Sequence, residues 1–434
     1  MDRRVFDTAF ALWSSRAKII DTRRRLKRYT YGDQWGDVYT MPDGERVSES
    51  VWMSRQGRRP LTNNLIRRLV KAIVGRYREM PATKDRYDNA DNPVAASLLL
   101  EELDSRLLEE FLISGMAIQR VADDNPFDSP LSDVTNVCPD QFFCNDFRDP
   151  RGSDIEIVGM LHDMSPAEVL TRFGGTPNSC RNRRVRRFLR GEDVSAPTHT
   201  SASAEFYTAR PGRLRVIEVW TREFNSRGNV AWRVRWFTHA GDMLDTYLSP
   251  WSHGSHPFAV KFYPLTDGEI HSFVEDLIDQ QRYINRIIVL IDKILSTTAK
   301  GVLLFPQRQK VDNMSWNDVA KLWAQPDSII PIRDGDSGAP FQAGGNNADM
   351  SAYRLLEMEL GMFDRTSGVG ASLLGDAATG PSSSGAAHYQ AQVENSAIAL
   401  ADIFRTFRSF TNLRDIKLNH IHPPQPPIRH ENQA

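Results

Sequence analysis

Apolar residues three or four positions apart predict several helices along the chain. The predicted helices run from about Val5 to Arg28, between Pro60 and Pro81, from about Pro93 to Ile118, from Asn347 to Thr366 and from Ala386 to Asn419. Prolines bound two of them, because proline cannot continue a helix beyond its first turn. These stretches make helix the dominant predicted element near both ends of the chain.

The middle of the chain has the alternating pattern of β-strands. Apolar and polar residues alternate in RLRVIEVWTREF and NVAWRVRWFTHAGDMLDTYL, and NSRGN and HAGD are candidate turns, so a β-hairpin or meander is predicted. The stretch from Val134 to Val158 is also strand- and loop-like. A short helix is predicted in MSPAEVLTRFG, with Ser165 as its N-cap and Gly174 at its end. Together the patterns predict the α+β class.

One predicted helix in the middle of the chain is long and amphipathic. The stretch from Glu275 to Ser296 has a broad apolar face, formed by Leu277, Ile278, Ile284, Ile287, Ile288, Ile291, Ile294 and Leu295. The opposite side carries Gln280, Arg282, Asn285, Arg286 and Lys293. At about 1.5 Å per residue, about 25 to 28 residues would be roughly 40 Å long. The pattern predicts a helix covered on one flank and open to solvent or a polar partner on the other.

A small unit follows this helix, up to about Gly345. Its sequence predicts strand, turn and strand, with at most one short helix. After it come the helix that begins near Asn347, a glycine- and serine-rich loop, and the helix that begins near Ala386. Two helices that leave a body and return to it, with a small unit between them, would form a stalk. The alternative is that the long helix is a central packing helix of an α+β domain.

Composition and charge are those of an ordinary folded protein. With 434 residues, 40% hydrophobic and 25% charged, the chain is expected to form two or three domains or one elongated subunit of several parts. No apolar run reaches the eighteen or so residues of a membrane helix, and the N-terminus shows no secretory signal. We therefore expect a cytoplasmic protein without a membrane partner. The net charge of −1 argues against tight, nonspecific coating of nucleic acid.

Candidate chemistry is sparse. The sequence has no G-x-x-x-x-G-K-[ST] loop and no H-E-x-x-H helix, and the cysteines Cys138, Cys144 and Cys180 match no zinc or redox pattern. We expect free thiols, no metal and no cofactor. His253 and His256 are assigned to a surface turn.

Three carboxylates leave one catalytic alternative open. Asp276, Asp279 and Asp292 could be imagined as a metal-dependent nuclease site. The first two follow the polar pattern of the long helix, and no cluster of partners accompanies them. The expectation is therefore a protein that is not an enzyme.

Four stretches of the chain resemble a known family. They are YGDQW, RRPLTNNLIRRLVKAIVG, DPRGSDIEIVGMLHDMS, and YPLTDGEIHSFVEDLIDQQRYINRIIVLID running into AKGVLLFP. In this order they are similar to the portal proteins of tailed bacteriophages, particularly those of podovirus-type phages. The resemblance spans roughly residues 20 to 418.

The resemblance implies an elongated portal-like subunit with long stem and wing helices, a β-rich wing and a small clip unit. Its parts would be the wing (1–268), the first stem helix (269–298), the clip (299–345), the second stem helix (346–367), the tunnel loop (368–385), a long wing or crown helix (386–419) and a proline-rich tail (420–434). Since the chain ends soon after the last helix, we do not expect a large crown or barrel.

The resemblance also implies a function and partners. Portal subunits form a homo-oligomeric ring, expected to be a dodecamer, at one vertex of the capsid. Double-stranded DNA passes through it during packaging and ejection, in transient contacts that do not depend on sequence. Further partners would be the terminase large subunit, a head-tail adaptor, and the major capsid and scaffold proteins. The protein would lie in the virion after assembly in the host cytoplasm, and another phage head or connector protein is the alternative.

The tunnel loop supplies the residues expected to touch DNA. Small hydroxyl and glycine residues change conformation cheaply and contact phosphates without a fixed salt bridge. The candidates are Ser382, Ser383, Ser384 and Gly385. The alternative for this composition is a flexible linker.

Two further sets of residues are candidates for contacts with proteins or DNA. The polar face of the first stem helix would turn to the channel or to a neighbouring subunit, through Arg282, Arg286 and Lys293. The clip would contact partner proteins, through Gln307, Arg308, Lys310 and Trp316. A solvated surface loop is the alternative for the clip.

An arginine-rich stretch, CRNRRVRRFLR, holds six arginines in eleven residues from Cys180 to Arg190. Such a stretch is typical of a nucleic-acid patch. It lies in the predicted wing, away from the channel helices, so a solvated helix face or a contact with an acidic capsid or scaffold surface is favoured.

Overall fold

The chain forms two compact units, each assembled from segments that are distant in sequence. The first contains Met1–Tyr31, Ile66–Asp276 and Ser367–Ala434, and the second contains Gly32–Leu65 and Leu277–Thr366. The structure is a computed structural model, and it describes residues 2–80, 83, 99–123, 133–175, 179–190, 201–224, 228, 230–298, 302–307, 310–324, 330–333, 341–343, 350–369 and 383–421.

Helices and strands are mixed along the described chain, which confirms the α+β class. The helices are α1 (Asp2–Ser15), α2 (Ala17–Tyr31), α3 (Glu49–Arg55), α4 (Leu65–Glu79), α5 (Leu100–Ser114), α6 (Pro166–Phe173), α7 (Cys180–Leu189), α8 (Ser201–Tyr207), α9 (Ile278–Thr298), α10 (Trp316–Ala324), α11 (Met350–Ser367) and α12 (Ser383–Ile421). The strands are β1 (Val38–Thr40), β2 (Arg46–Ser48), β3 (Met116–Val121), β4 (Val134–Asn136), β5 (Phe142–Cys144), β6 (Ile157–Met164), β7 (Leu214–Phe224), β8 (Val230–Thr238), β9 (Met243–Leu248), β10 (Phe258–Phe262), β11 (Pro264–Thr266), β12 (Glu269–Ile270), β13 (Val302–Leu304) and β14 (Phe341–Ala343).

A five-stranded antiparallel sheet, in the order β5-β6-β7-β8-β9, forms the core of the first unit. The predicted meander is its β7-β8-β9 part. Side chains alternate between the two faces of a strand, and on β7 both faces are covered. Trp220 packs in a cluster with Trp236, whereas Ile217 and Val219 pack in another with Phe6 of α1. Cover on both faces explains why the middle of β7 is buried throughout.

The N-terminal stretch contains two helices, so the single helix predicted there is wrong. α1 and α2 are separated at Arg16, whose side chain is buried in the first unit. Its guanidinium carbon lies 5.5 Å from the ring centroid of Phe142 and 5.2 Å from that of Phe262. Cation–π contacts of this kind stabilise a buried arginine. The break between α1 and α2 thus lies at a residue held by tertiary contacts, which the helical periodicity of the sequence does not predict.

Two short helices, α6 and α7, pack against the sheet. Ser165 caps α6: its Oγ accepts from the backbone N–H of Glu168 at 3.2 Å, and the Glu168 carboxylate accepts from the backbone N–H of Ser165. This capping box confirms the predicted helix start. α7 buries Val185 and Phe188 in the sheet cluster. The arginine-rich stretch therefore belongs to an amphipathic helix, and Arg183, Arg184, Arg186 and Arg187 lie on its exposed side.

A glycine separates α5 from β3. The helix predicted to reach Ile118 ends earlier, because Gly115 takes a φ of 70° and the chain continues as a strand. Residues with a side chain adopt this conformation only with strain. A Cβ atom at Gly115 would lie 2.7 Å from Ile270 Cγ2 and 2.9 Å from the Tyr263 carbonyl oxygen. The strand β3 then pairs with β10 and β4 in a three-stranded sheet.

A buried ion pair ties α12 to α5. Arg414 Nη1 and Nη2 donate to the two carboxylate oxygens of Asp104 at 2.9 and 3.0 Å, and the two side chains are 0% and 1% exposed. The amide of Gln119 on β3 donates to the same carboxylate at 3.0 Å. Arg414 Nε donates to Asp415 at 2.6 Å. These bonds compensate the cost of removing both charges from water.

Close to this pair, Lys417 is buried beside His253 and His256. Since His256 is 7% exposed, its assignment to a surface turn is wrong. Lys417 Nζ donates to the His256 carbonyl oxygen at 2.7 Å. Burial lowers the pKa of Lys417 to about 8. Burial, with the charge of Lys417 adding to it, lowers the pKa of His253 to about 4 and that of His256 well below its usual range. Lys417 is therefore a buried cation at neutral pH, and its burial lowers the stability of the folded state.

Three further helix boundaries differ from the predicted ones. α9 begins at Ile278 because residues 269–270 form strand β12 and residues 275–277 form a 3₁₀ turn. With 21 residues, it is about 32 Å long rather than 40 Å. α12 runs from Ser383 to Ile421 rather than from Ala386 to Asn419. The predicted start of α11 at Asn347 lies outside the described residues, which resume at Met350.

Two other sequence expectations concern cysteines and membranes. Cys138 and Cys144 are free thiols as predicted, and burial raises the pKa of Cys144 to about 11. The side chain of Cys180 and the tail from residue 422 lie outside the described residues. Among the described helices, none has the length and apolar character needed to cross a bilayer.

We expect Asp104→Ala to lower the free energy of unfolding by about 3–5 kcal/mol, because the Arg414 guanidinium would remain buried without its partner. Urea unfolding followed by circular dichroism measures this loss. Asp7→Ala is the control, since the Asp7 pair with Arg3 is 3.6 Å long with both side chains over 60% exposed, and it should cost less than about 1 kcal/mol. Similar losses in the two variants would contradict the anchoring role of Asp104.

We expect Lys417→Met to change how stability depends on pH. The folded-state pKa of Lys417, about 8, is below the ordinary value of 10.5, so below pH 8 the folded state carries the full cost of the buried charge. Between about pH 8 and 10.5 the folded state releases this proton first, and the free energy of unfolding of the wild type rises with pH.

The variant lacks this titration, so its stability advantage over the wild type should be largest below pH 8 and should shrink towards pH 10.5. Thermal unfolding of both proteins across this range measures the difference. A difference that stays constant with pH would show that Lys417 is not the responsible group.

Candidate functional site

The helix α9 is the centre of the second unit, and its predicted apolar face is buried or half-buried except at Leu295, which is 47% exposed. Ile287 and Ile291 pack with Ala352 of α11, and Ile294, Leu355 and Leu356 border this cluster. On another side, Val289 packs with Trp35 and Met53. The helix is therefore covered on two sides within its own unit.

A buried carboxylate holds two of the predicted polar-face residues. Glu49, at the start of α3, is 3% exposed. Its Oε1 accepts from Arg286 Nη2 at 2.6 Å and Nε at 3.1 Å, and its Oε2 lies 3.4 Å from Arg282 Nη2. Arg282 also donates to the Tyr39 hydroxyl. These charge-assisted bonds fix α3 against α9.

Sequence reasoning missed Glu49, although a local signal was present. Ser48 is the N-cap of α3, and its Oγ accepts from the backbone N–H of Val51 at 3.4 Å. A serine followed by glutamate at the first helical position is a typical helix start. The pairing of Glu49 with α9 has no signal in the sequence, because more than two hundred residues separate the partners.

Amide side chains of α9 bind the backbone of residues 63–65. Asn285 Oδ1 accepts from the Asn63 N–H at 3.0 Å, and Gln281 Oε1 accepts from the Leu65 N–H at 3.0 Å. Gln281 Nε2 donates to the Asn63 carbonyl oxygen at 2.7 Å, and Asn285 Nδ2 donates to Gln34 at 2.5 Å. The side of α9 predicted to meet solvent or a polar partner therefore meets a polar partner here, and both amides are buried.

Besides Asp292 and Leu295, the exposed side chains that the structure describes on α9 form one stripe of mixed character. It consists of Asp279, Tyr283, Arg286, Leu290 and Lys293, spaced by four and three residues alternately. Tyr283 and Leu290 are 46% and 47% exposed. A cavity of about 370 Å³ adjoins the stripe, lined by Glu49, Trp52, Met53, Arg58, Arg286, Val289, Leu290 and Lys293. The third predicted polar-face residue, Lys293, thus lies at this cavity.

The strand-turn-strand unit after α9 has the predicted elements. Strands β13 and β14 pair antiparallel, and α10 lies between them in sequence. Lys310 forms an isolated bridge with Ile332. Within the described part of this segment, α10 is the one short helix that the sequence allowed.

Three of the four predicted clip residues are described, and two of them are in contact. Lys310 Nζ lies 5.7 Å from the ring centroid of Trp316 and donates to the Met314 carbonyl oxygen at 2.5 Å. Trp316 also packs edge-on against Phe305 and is 46% exposed. The Gln307 carbonyl oxygen accepts from the Lys310 N–H at 3.4 Å. Arg308 lies outside the described residues.

The predicted DNA-contacting loop, 368–385, is described only at residues 368–369 and 383–385. Ser383, Ser384 and Gly385 form the beginning of α12 and are helical, which corrects their assignment to a loop. Serine is favourable at a helix start, where its hydroxyl can satisfy a free N–H group. Ser382 lies outside the described residues, as do the side chains of the other three.

The carboxylates of the nuclease alternative give no metal site in the described residues. Asp279 and Asp292 lie thirteen residues apart on α9, about 20 Å along its axis. Among the residues that the structure describes, no group of three or more His, Cys, Asp or Glu side chains could hold a metal ion.

Comparison with known proteins identifies a family. The family described as phage P22-like portal protein matches residues 100–414, which is most of the chain. No curated protein matches the chain. The matched region includes α9, the strand-turn-strand unit, α11 and most of α12.

We expect Glu49→Gln to loosen α3 from α9, because a neutral amide replaces a carboxylate that binds two guanidinium groups. The local loss should be about 1–3 kcal/mol, seen as faster hydrogen exchange in residues 49–55. Glu45→Gln is the matched control, since its pair with Arg55 is about half exposed on both sides. Equal exchange rates in the two variants would contradict the role of Glu49.

Proposed function

The chain belongs to the family of phage P22-like portal proteins, and we propose that its second unit contains the stem and clip of the portal subunit. Portal proteins are structural proteins of the phage head. They form a homo-oligomeric ring at one capsid vertex, through which DNA passes and on which other phage proteins dock. The chain therefore functions as a phage portal.

The order of elements in the second unit supports this assignment of stem and clip. The long helix α9 comes first in this order. A two-stranded sheet with a short helix follows, as β13, α10 and β14, and the second helix, α11, then packs against α9. The proposed parts are the first stem helix within 269–298, the clip at 299–345 and the second stem helix at 346–367. Residues 1–268 form the wing, except that we assign residues 32–65 to the support of the stem, because they belong to the unit of α9.

The exposed stripe of α9 is our candidate for the contact with a neighbouring subunit. A ring requires that one surface of a subunit meets a different surface of the next. The stripe places exposed Tyr283 and Leu290 between charged residues, beside an open cavity. On α11, Met358 and Met362 are 56% and 46% exposed. We assign the neighbour's α11 to this cavity, so that Arg286 and Lys293 face a subunit rather than the channel.

The clip is our candidate for docking of the terminase large subunit and the head-tail adaptor. Trp316 supports this role, because an exposed tryptophan with a cation beside it is typical of binding hot spots. Gln307, Arg308 and Lys310 would supply polar contacts around it. The wing would contact the major capsid and scaffold proteins.

The start of α12 is our candidate for contact with the passing DNA. Helix N-termini favour anions because their N–H groups lack partners within the helix. Ser382, Ser383, Ser384 and Gly385 would touch phosphates of double-stranded DNA transiently. The near-zero net charge supports weak contacts that do not depend on sequence. In this role the protein binds no cofactor, catalyses no reaction, and assembles in the host cytoplasm before it lies at the capsid vertex.

Native mass spectrometry of the purified protein over a range of salt concentrations tests ring formation. We expect a population near the dodecamer. A protein that stays monomeric, even after scaffold and capsid proteins are added, would contradict the proposal.

Leu290→Glu tests the proposed subunit interface in the same measurement. A charge in place of an apolar contact should shift the population from ring to monomer, by about tenfold or more in the equilibrium constant. Phe224→Glu is the matched control, since Phe224 is 80% exposed in the first unit. A ring unaffected by Leu290→Glu would exclude the stripe as the interface.

A further inference from the structure

A groove in the first unit contains none of the residues that we assign to the ring contact, the channel or the clip. It consists of two cavities that share Arg405 and Arg408 of α12. The first, of about 250 Å³, lies between α12 and the end of α4, and is lined by Arg76, Tyr77, Met80, Leu400, Ala401, Phe404, Arg405 and Arg408. The second, of about 420 Å³, is lined by Pro150, Arg151, Lys261, Arg405, Arg408, Ser409, Asn412, Leu413 and Ile416.

The groove follows one face of α12. From Leu400 to Ile416 the lining residues recur every three or four positions, so they lie on the same side of the helix. At about 1.5 Å per residue, this face is about 24 Å long. The length suits an extended or helical peptide segment rather than a small molecule.

The rim of the groove is cationic and has no carboxylate in its lining. Arg76, Arg405 and Arg408 are exposed and form no ion pair with any described residue. The other two cations of the rim are engaged: Arg151 pairs with Asp149 at 3.0 Å, and Lys261 donates to the Pro150 carbonyl oxygen at 2.8 Å. Asp402, on the same helix as Arg405 and Arg408, accepts from the Tyr263 hydroxyl at 3.0 Å.

The floor of the first cavity is aromatic and apolar. Tyr77 and Phe404 are 5% and 7% exposed, and their ring centroids are 5.6 Å apart. Leu400 beside them is 1% exposed. At the other end of the groove, Ile416 is 57% exposed. The groove thus offers apolar contact at both ends and positive charge between and around them.

We propose that this groove binds an acidic amphipathic segment of a partner protein. Carboxylates of the segment pair with Arg76, Arg405 and Arg408, and its apolar side chains fill the cavity over Tyr77 and Phe404 and cover Ile416. Duplex DNA would match the charge but presents phosphates without apolar side chains, and would leave the aromatic floor uncovered. The inference goes beyond the proposed function, which assigns none of the groove residues to ring closure or to DNA passage.

Fluorescence anisotropy with labelled synthetic peptides tests the proposal on the full chain. The probe is a helix-forming peptide of about 16 residues, the length of the groove, with glutamates on one face and leucines on the other. Two further peptides replace all glutamates by glutamine, or all leucines by serine. We expect the first peptide to bind and each of the others to bind about tenfold more weakly or worse.

Variants locate the binding to the groove. The double variant Arg405→Glu with Arg408→Glu should bind the first peptide about tenfold more weakly or worse. Arg4→Glu with Arg187→Glu is the matched control, because both residues are exposed elsewhere in the first unit, and it should change affinity less than about twofold. Ala401→Trp should block the first cavity without changing charge. Circular dichroism and thermal unfolding confirm that each variant is folded.

Three results would overturn the proposal. The first is that the glutamine peptide binds as tightly as the glutamate peptide. The second is that the groove variant and the control variant lose the same amount of affinity for the glutamate peptide. The third is that a short duplex DNA binds the same groove more tightly and displaces the glutamate peptide. The last result would assign the groove to nucleic acid. Because the assay detects peptide binding and not assembly, it can fail while ring formation succeeds, and the reverse.

Discussion

The buried pair of Asp104 and Arg414 is the interaction on which the first unit depends. α12 returns to this unit from the far end of the sequence, and the pair sets which residues of α12 face α5 and β3. A buried ion pair seldom makes a protein more stable than an apolar contact in its place would. A buried charge that loses its partner is very costly, however, so the pair specifies the register in which α12 packs. With Arg414 fixed inward, Arg405 and Arg408 are left on the exposed side. The groove is therefore a consequence of this anchor.

In the second unit, too, a buried charged side chain fixes how helices pack, but here it is the carboxylate of Glu49. Glu49 and the amides of Gln281 and Asn285 hold α3 and residues 63–65 against α9, while Ile287 and Ile291 pack against α11. Among the described side chains of the helix, the stripe, Asp292 and Leu295 stay exposed. A subunit of a ring needs a surface that meets its neighbour, and we propose the stripe for this role.

Charge in this protein is distributed unevenly despite a net value of −1. The described arginines of α7 and Arg76, Arg405 and Arg408 at the groove are exposed, whereas Arg16, Arg414 and Lys417 are buried as structural cations. Net charge therefore limits nonspecific binding of DNA without excluding local cationic surfaces. A phage portal benefits from both properties, because DNA must slide through the ring while partner proteins bind at defined places.

Local patterns in the sequence determined much of the fold. The meander of β7 to β9, the capping box at Ser165, the apolar face of α9 and the small sheet with one short helix all depend on neighbours in sequence. Four stretches of sequence, taken in their order, also indicated the family, which the match over residues 100–414 confirms. Only the tertiary structure decided the break at Arg16, the end of α5 at Gly115, the role of Glu49 and the place of residues 32–65. Each of these depends on contacts between residues far apart in the chain, which periodicity, capping and turn signals do not encode.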